Sequence, residues 1–252
     1  MIRAAALSHL GQRRTHNGDR YSLDSDRQTY IVADGLGGQA KGYVAADLTV
    51  STIEEFLQLT YNPSELTWPF GYEIELPFEH NVLRTAMRLA NLRVYQRAAR
   101  VDSYLGMGST VLVAWVREST AYFSHVGDSR FYLMRQGALR RLTEDHTLIQ
   151  MQLKQGIISP QEAKTHALRH VVTRAIGSSQ PLDATIQELA LKPKDRLLLC
   201  SDGLTDQLED EALSELLGQP GDGLEAIGRQ LLDRANGSGG TDNITVILID
   251  FV

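Results

Sequence analysis

The sequence predicts an α+β fold in which antiparallel sheet is covered by helices. Three observations carry that expectation. From residue 109 onward, short β-rich runs alternate with polar turns, as hairpins do. Before them lie two long segments with apolar residues at helical spacing. After them come three more strands, with two helical segments between the last two.

Residues 4–8 and 29–33 read as strands, the second a short apolar run of Tyr, Ile and Val. Residues 45–59 read as a helix, with Ala45, Leu48, Ile53, Phe56 and Leu57 near one face. Three prolines and Gly71 break residues 63–77, which read as a surface excursion between helices. Within it, Trp68 reads as a loop anchor. Residues 81–100 form the clearest helix, with Val82, Leu83, Ala86, Leu89, Ala90 and Val94 at helical spacing. Arg84, Arg88, Arg93, Arg97 and Arg100 lie along it and read as a solvated face rather than a phosphate-binding ridge. Residues 110–116 (with Trp115 as a core residue), 121–126, 130–134 and 139–142 read as one antiparallel meander with turns at 117–119, 127–129 and 136–137. Residues 145–180 look helical and polar, with Pro160 opening a second short helix. Residues 184–189, 196–200 and 244–249 are the last strands, and 210–217 and about 222–236 the last helices.

Composition narrows the function. The 252 residues hold 25 Lys+Arg against 31 Asp+Glu, a net charge of −6, with 42% hydrophobic and 22% charged residues. That is an ordinary soluble globular composition, long enough to bury a full core without disulfides or structural metal, and a single domain over 1–252 is expected. The acidic balance argues against nucleic acid as a partner. The longest apolar stretches, such as 111–116, fall far short of the ~18–20 residues of a membrane helix. Near the start, Ser8-His9 interrupts any signal-peptide core. Cys200 stands alone and reads as a small buried residue in an apolar strand. Together these features favour the cytoplasm and no membrane partner.

The informative pattern is an aspartate beside glycine at the end of an apolar strand. Residues 30–33 lead into Asp34-Gly35, 197–201 into Asp202-Gly203, and 122–126 into Gly127-Asp128. In Gly239-Gly240-Thr241-Asp242-Asn243 the strand follows the aspartate. Carboxylates at strand ends can converge at one edge of a core, and glycine lets backbone approach a ligand. Unpaired carboxylates brought together repel unless cations join them, and all-oxygen ligands select hard ions such as Mg²⁺ or Mn²⁺. One Asp-Gly alone is an ordinary turn; four leave both a turn and a metal-site reading open.

In order along nearly the whole chain, the motifs resemble those of the metal-dependent Ser/Thr protein phosphatases of the type 2C group, in their compact bacterial form. They are Gly11-Gln12-Arg13-Arg14-Thr15-His16-Asn17-Gly18-Asp19, Val32-Ala33-Asp34-Gly35-Leu36-Gly37-Gly38, Gly108-Ser109-Thr110, Val126-Gly127-Asp128-Ser129-Arg130, Thr143-Glu144-Asp145-His146, Thr173-Arg174-Ala175-Ile176-Gly177, Ser201-Asp202-Gly203-Leu204-Thr205-Asp206 and Gly240-Thr241-Asp242-Asn243-Ile244-Thr245. The resemblance implies a four-layer α-β-β-α sandwich of two central antiparallel sheets flanked by helices, with a metal centre at one end. Asp34 would bridge two Mn²⁺ or Mg²⁺ ions and the Gly35 carbonyl would bind one of them. Asp202 and Asp242 would complete the other ion, and Asp19 would hold metal-bound water. Asp128 with Asp202 would take a third, weaker ion. Arg14 matches the arginine that grips the substrate phosphate, and residues 145–180 match a flap subdomain tied to substrate choice.

The implied chemistry is hydrolysis of phosphoserine and phosphothreonine on proteins. Two ions sharing one water lower its pKa and set it in line with phosphorus. Arg14 forks two hydrogen bonds to the phosphoryl oxygens. No phospho-enzyme is expected. The implied partners are phosphorylated proteins, with a cognate Ser/Thr kinase and its targets.

Two positions depart from the pattern. Gln39 stands where a histidine commonly follows the Gly-Gly, and an amide is no general acid at neutral pH. General-acid help is worth about 10²–10⁴-fold, so slow turnover of serine phosphates relative to aryl phosphates is expected. Gly18 stands where relatives often carry Glu or Gln. His125 and His146 read as packing or hydrogen-bonding residues. His9, His16, His80, His166 and His170 show no ligand spacing, although His16 lies near Arg14. A catalytically silent phosphoprotein-binding relative and a phosphohydrolase of nucleotides or small metabolites are the rival readings.

Overall fold

The computed structural model describes residues 1–62, 65–219 and 223–252, with the side chain of Gln39 outside the description. Pro63 of the expected excursion and the first residue of the expected 222–236 helix also lie outside the described residues. The strands are β1 (Ile2–His9), β2 (Arg20–Asp24), β3 (Thr29–Ala33), β4 (Gly35–Leu36), β5 (Gly108–Ser109), β6 (Val111–Arg117), β7 (Thr120–Val126), β8 (Arg130–Arg135), β9 (Ala138–Arg141), β10 (Gln187–Ala190), β11 (Asp195–Cys200) and β12 (Ile244–Phe251). The helices are α1 (Gln39–Leu59), α2 (Phe78–Arg100), α3 (Leu148–Lys154), α4 (Pro160–Thr165), α5 (Asp202–Thr205), α6 (Asp210–Leu217) and α7 (Leu224–Gly237).

Ten strands form two five-stranded antiparallel sheets, ordered β1-β12-β11-β8-β9 and β10-β7-β6-β3-β2. The period-2 alternation of a strand explains the layering. In β3, Tyr30 and Val32 face the opposite sheet while Ile31 and Ala33 pack under α1 and α2. In β11, Leu197 and Leu199 face inward while Leu198 and Cys200 pack under α5–α7. Both faces of the central strands are therefore apolar, and three stacked cores hold four layers, α-β-β-α.

The expected four-strand meander is a correction. β6 and β7 pair in one sheet, whereas β8 and β9 pair in the other. The 127–129 segment is a crossover between sheets, not a hairpin turn. Gly127 permits it: φ is +104°, and a Cβ there would lie 2.6 Å from the Thr110 side chain. Strand β2 escaped the sequence reading, and α1 starts six residues before the expected 45.

Pro160 opens α4 as expected, behind a Ser159–Glu162 capping box. Trp68 anchors its loop by edge-on contacts with Phe56, Tyr72 and Phe78. The arginines of α2 are more engaged than a solvated face. Arg84 pairs with Glu73 and Arg93 with Glu55, while Arg97 lies over the Tyr104 ring. Among the described residues no helix is long and apolar enough to cross a membrane.

Candidate metal centre

The strands of both sheets end around one pocket of about 420 Å³. Asp34 enters it from the end of β3, Asp128 from the β7–β8 crossover, Asp202 from the end of β11, and Asp242 from just before β12. Asp19, just before β2, lies beneath them and is 2% exposed. Residues distant in sequence meet because sheet register places strand ends to within a residue.

Hydroxyls and amides hold these aspartates in place. Asp19 Oδ2 accepts from Ser201 Oγ at 2.8 Å and from Thr245 Oγ1 at 2.6 Å. The Asp34 backbone is clamped by its neighbours: its N–H donates to Thr110 Oγ1 at 3.0 Å, and its carbonyl accepts from Thr110 N at 2.8 Å and Ser109 Oγ at 2.9 Å. Thr110 Oγ1 in turn meets Ser129 Oγ at 2.8 Å, linking the Asp34 strand to the crossover that carries Asp128. Asn243 ties the 10–18 loop to the site. Its Oδ1 accepts from Gly18 N at 2.7 Å, and its Nδ2 donates to the carbonyls of Leu10 at 2.8 Å and His16 at 3.0 Å.

The electrostatics are those of like charges gathered out of water. Burial first, and then the charges of Asp19, Asp202, Asp242 and Asp128, push the Asp34 carboxyl well above the usual value. Burial and the charges of Asp128, Asp206, Asp242 and Asp19 do the same to Asp202. Burial pushes Asp19 up to about 6, and burial with the Asp145 charge pushes Asp128 up to about 6. Asp19 Oδ1 and Asp202 Oδ1 are buried with no hydrogen-bond partner. A buried carboxylate oxygen without a donor is costly. An all-oxygen set with bare, mutually repelling acceptors fits hard divalent cations.

All seven residues singled out from the sequence meet here. Arg14 and Gly35 line the pocket with Asp34, Asp128, Asp202 and Asp242, and Asp19 supports them. Arg14 Nη2 donates to Asp242 Oδ2 at 2.6 Å, at the half-exposed rim. Sequence reasoning missed Asp206 and His170. His170 Nδ1 lies 3.2 Å from Asp206 Oδ2, and His170, Asp202 and Asp206 bring ligand atoms within 4.8 Å of one another. The available signal was the four-residue step from Asp202 to Asp206, one helical turn. His170 had none, since the 166–172 segment brings it in from outside any strand. Ser201, Thr245 and Asn243 were also missed as supports, although each lies within two or three residues of an aspartate.

His125 and His146 match the packing reading. Their rings stack at 4.7 Å, and Gly127 N donates to His146 Nδ1 at 3.2 Å. Burial pushes His146 down to about 4 and lowers His125. The general-acid question at position 39 concerns a side chain outside the described residues.

Known proteins resemble this chain over nearly its whole length. A sequence model of the protein phosphatase 2C family matches residues 8–245. The serine/threonine phosphatase stp of Listeria monocytogenes is 32% identical over 243 residues, covering 95% of this chain and 92% of that protein. The crystal structure of the Mycobacterium tuberculosis serine/threonine phosphatase PstP/Ppp superposes with a TM-score of 0.86 at 31% identity, covering 99% of this chain and 98% of that one. A catalytic domain of PstP in complex with two manganese ions superposes with a TM-score of 0.83 at 29% identity, covering 99% and 97%. The chain belongs to the protein phosphatase 2C family of serine/threonine phosphatases.

Proposed function

We propose that this chain hydrolyses phosphoserine and phosphothreonine on proteins, using two Mn²⁺ or Mg²⁺ ions held by Asp34, the Gly35 carbonyl, Asp202 and Asp242, with Asp19 behind them. Asp128 with Asp202 would hold a third, weaker ion. The observation that carries the reading is the convergence of six aspartates, Asp19, Asp34, Asp128, Asp202, Asp206 and Asp242, on one pocket with two buried carboxylate oxygens left bare. When bound, the ions supply an acidified water as nucleophile and absorb charge on the phosphoryl oxygens.

The chain's own residues do the rest. Ser201 and Thr245 fix one oxygen of Asp19, so that its bare oxygen faces the cation side. Ser109 and Thr110 fix the Asp34 backbone and hence where its carboxylate enters. Arg14, charged and at the rim, turns from Asp242 to a phosphate dianion and orients it by forked hydrogen bonds. Glutamine at position 39 donates no proton at neutral pH, so the leaving alcohol must take its proton from elsewhere. Residues 145–180, standing beside the pocket, act as a flap. The expected partners are phosphorylated proteins and a cognate Ser/Thr kinase.

The test is turnover of a phosphothreonine peptide with and without Mn²⁺, in the wild type and in Asp34→Asn. Manganese-dependent turnover that vanishes in the variant is expected. Tight phosphopeptide binding without turnover would support the silent binding module instead, and turnover of nucleotides far above peptides the metabolite phosphohydrolase.

A further inference from the structure

Beside the carboxylate pocket lies a second cavity of about 460 Å³ whose lining contains no charged residue. One wall is the C-terminal part of α2, with Tyr95, Ala98 and Ala99. Another is the turn carrying Leu105 and Met107. Its floor is the β4–β5 ladder, where Leu36 pairs with Gly108.

Leu36 also lines the carboxylate pocket, two residues after Asp34. Leu36 is thus the residue the two linings share, and the Gly37 backbone packs closely against Gly106 and Met107 beside it. A Cβ on Gly37 would lie 2.9 Å from the Gly106 carbonyl oxygen and 3.2 Å from Met107 Cα. Hydrogen bonds hold this packing in place. Lys41 Nζ donates to the Leu105 carbonyl at 3.0 Å. Ser109 and Ile176 exchange backbone bonds at 3.1 and 2.8 Å, and Gly177 N donates to Asn91 Oδ1 at 2.8 Å. The cavity is preformed, yet its rim leaves Leu105 70% and Tyr95 41% exposed. Large apolar side chains around a concave uncharged site are the usual surroundings of an apolar ligand group.

An uncharged lining takes neither phosphate nor cation. A polypeptide that delivers a phosphorylated side chain over Leu36, however, carries its neighbouring residues past this opening. Extended chain advances about 3.3–3.6 Å per residue, so three residues on either side of the phosphorylated one span about 10 Å. We propose that this cavity is a specificity subsite that receives an apolar side chain of the substrate, such as Leu, Ile, Met or Phe, flanking the phosphorylated residue. The proposal rests on reading the carboxylate pocket as the phosphate site.

The experiment measures kcat/KM with Mn²⁺ for phosphothreonine peptides in which Leu and Asp are placed in turn at positions −3 to +3. It is repeated in Leu105→Asp and Ala99→Trp, two exposed rim positions whose change leaves the core packed. At one position the wild type should favour Leu by at least about tenfold, the scale of an apolar group in an apolar pocket. Both variants should reduce that preference to within about twofold while turnover of p-nitrophenyl phosphate, too small to reach the cavity, stays unchanged. A preference that survives both variants, or equal rates for Leu and Asp at every position, overturns the subsite. So does a flat profile together with a wild-type dimer that Leu105→Asp dissociates, because the cavity is then an interface between two copies. Brisk but unselective peptide turnover leaves the phosphatase reading standing; no turnover of any phosphopeptide or of p-nitrophenyl phosphate sinks both.

Discussion

Asp19 has one oxygen tied by two hydroxyls and one left bare, which is how a protein aims a carboxylate at a cation. Outer partners of this kind are worth about 10–100-fold in metal affinity. Thr245→Val keeps the shape and removes the 2.6 Å donor, so calorimetric Mn²⁺ titration should show a loss in that range. Asn243 is a second support, with three hydrogen bonds to the 10–18 loop. Asn243→Ala removes three hydrogen bonds to half-buried or exposed backbone groups and should cost about 1–3 kcal/mol in urea denaturation. Gln39→His places an imidazole directly after the Gly37-Gly38 pair. The ratio of phosphoserine to aryl-phosphate turnover should rise, and an unchanged ratio would show that the missing imidazole at position 39 does not limit turnover of serine phosphates. The seven aspartate, arginine and glycine positions were legible because their motifs name them. Ser201 and Thr245 were not, because a hydroxyl beside an aspartate marks a support only once the fold shows which carboxylate it touches.

Elements position these residues through close backbone approaches. The start of α1 lies against β4: a Cβ on Gly35 would sit 2.0 Å from the Gly42 carbonyl oxygen, and one on Gly42 would sit 2.4 Å from the Gly35 carbonyl oxygen. Gly35→Ala must push α1 off the site. It should cost at least the ~1–3 kcal/mol of an overpacked core, measurable by denaturant unfolding, and weaken Mn²⁺ binding as well. Helix α2 was legible from apolar residues at helical spacing, and strand β3 from a short apolar run that the fold buries on both faces. The β7–β8 crossover was not. A glycine and two polar residues between two strands read as a hairpin turn whether the strands pair or part, and only the tertiary arrangement separates the cases.

The molecule as a whole holds its carboxylates against their own repulsion, and this sets its response to pH. Asp34 and Asp202 are raised well above the ordinary value of 3.8, and Asp19 and Asp128 to about 6. Above 3.8 the folded state therefore binds more protons than the unfolded chain, and stability falls as pH rises through those raised values. His146, pushed down to about 4, and the lowered His125 act the other way, losing stability as pH falls below about 6.5. Ion-free protein should accordingly melt higher at pH 6.5 than at pH 8. Mn²⁺ at about a hundred times its Kd should add about 2.7 kcal/mol, or roughly 5–10 °C at this chain length, and more at pH 8, where protons compete less. A Tm at pH 8 that ignores Mn²⁺, measured by scanning calorimetry after chelation, would contradict this account. The order of motifs along the chain was enough to determine the family, the layered α+β class and the aspartates at strand ends, because those are local patterns. Tertiary structure alone decided which sheet each strand joined, that His170 reaches the pocket, and that an uncharged cavity opens beside it. Those facts depend on contacts between segments far apart in the chain, such as β1 pairing with β12, and no local pattern of side chains encodes such a meeting.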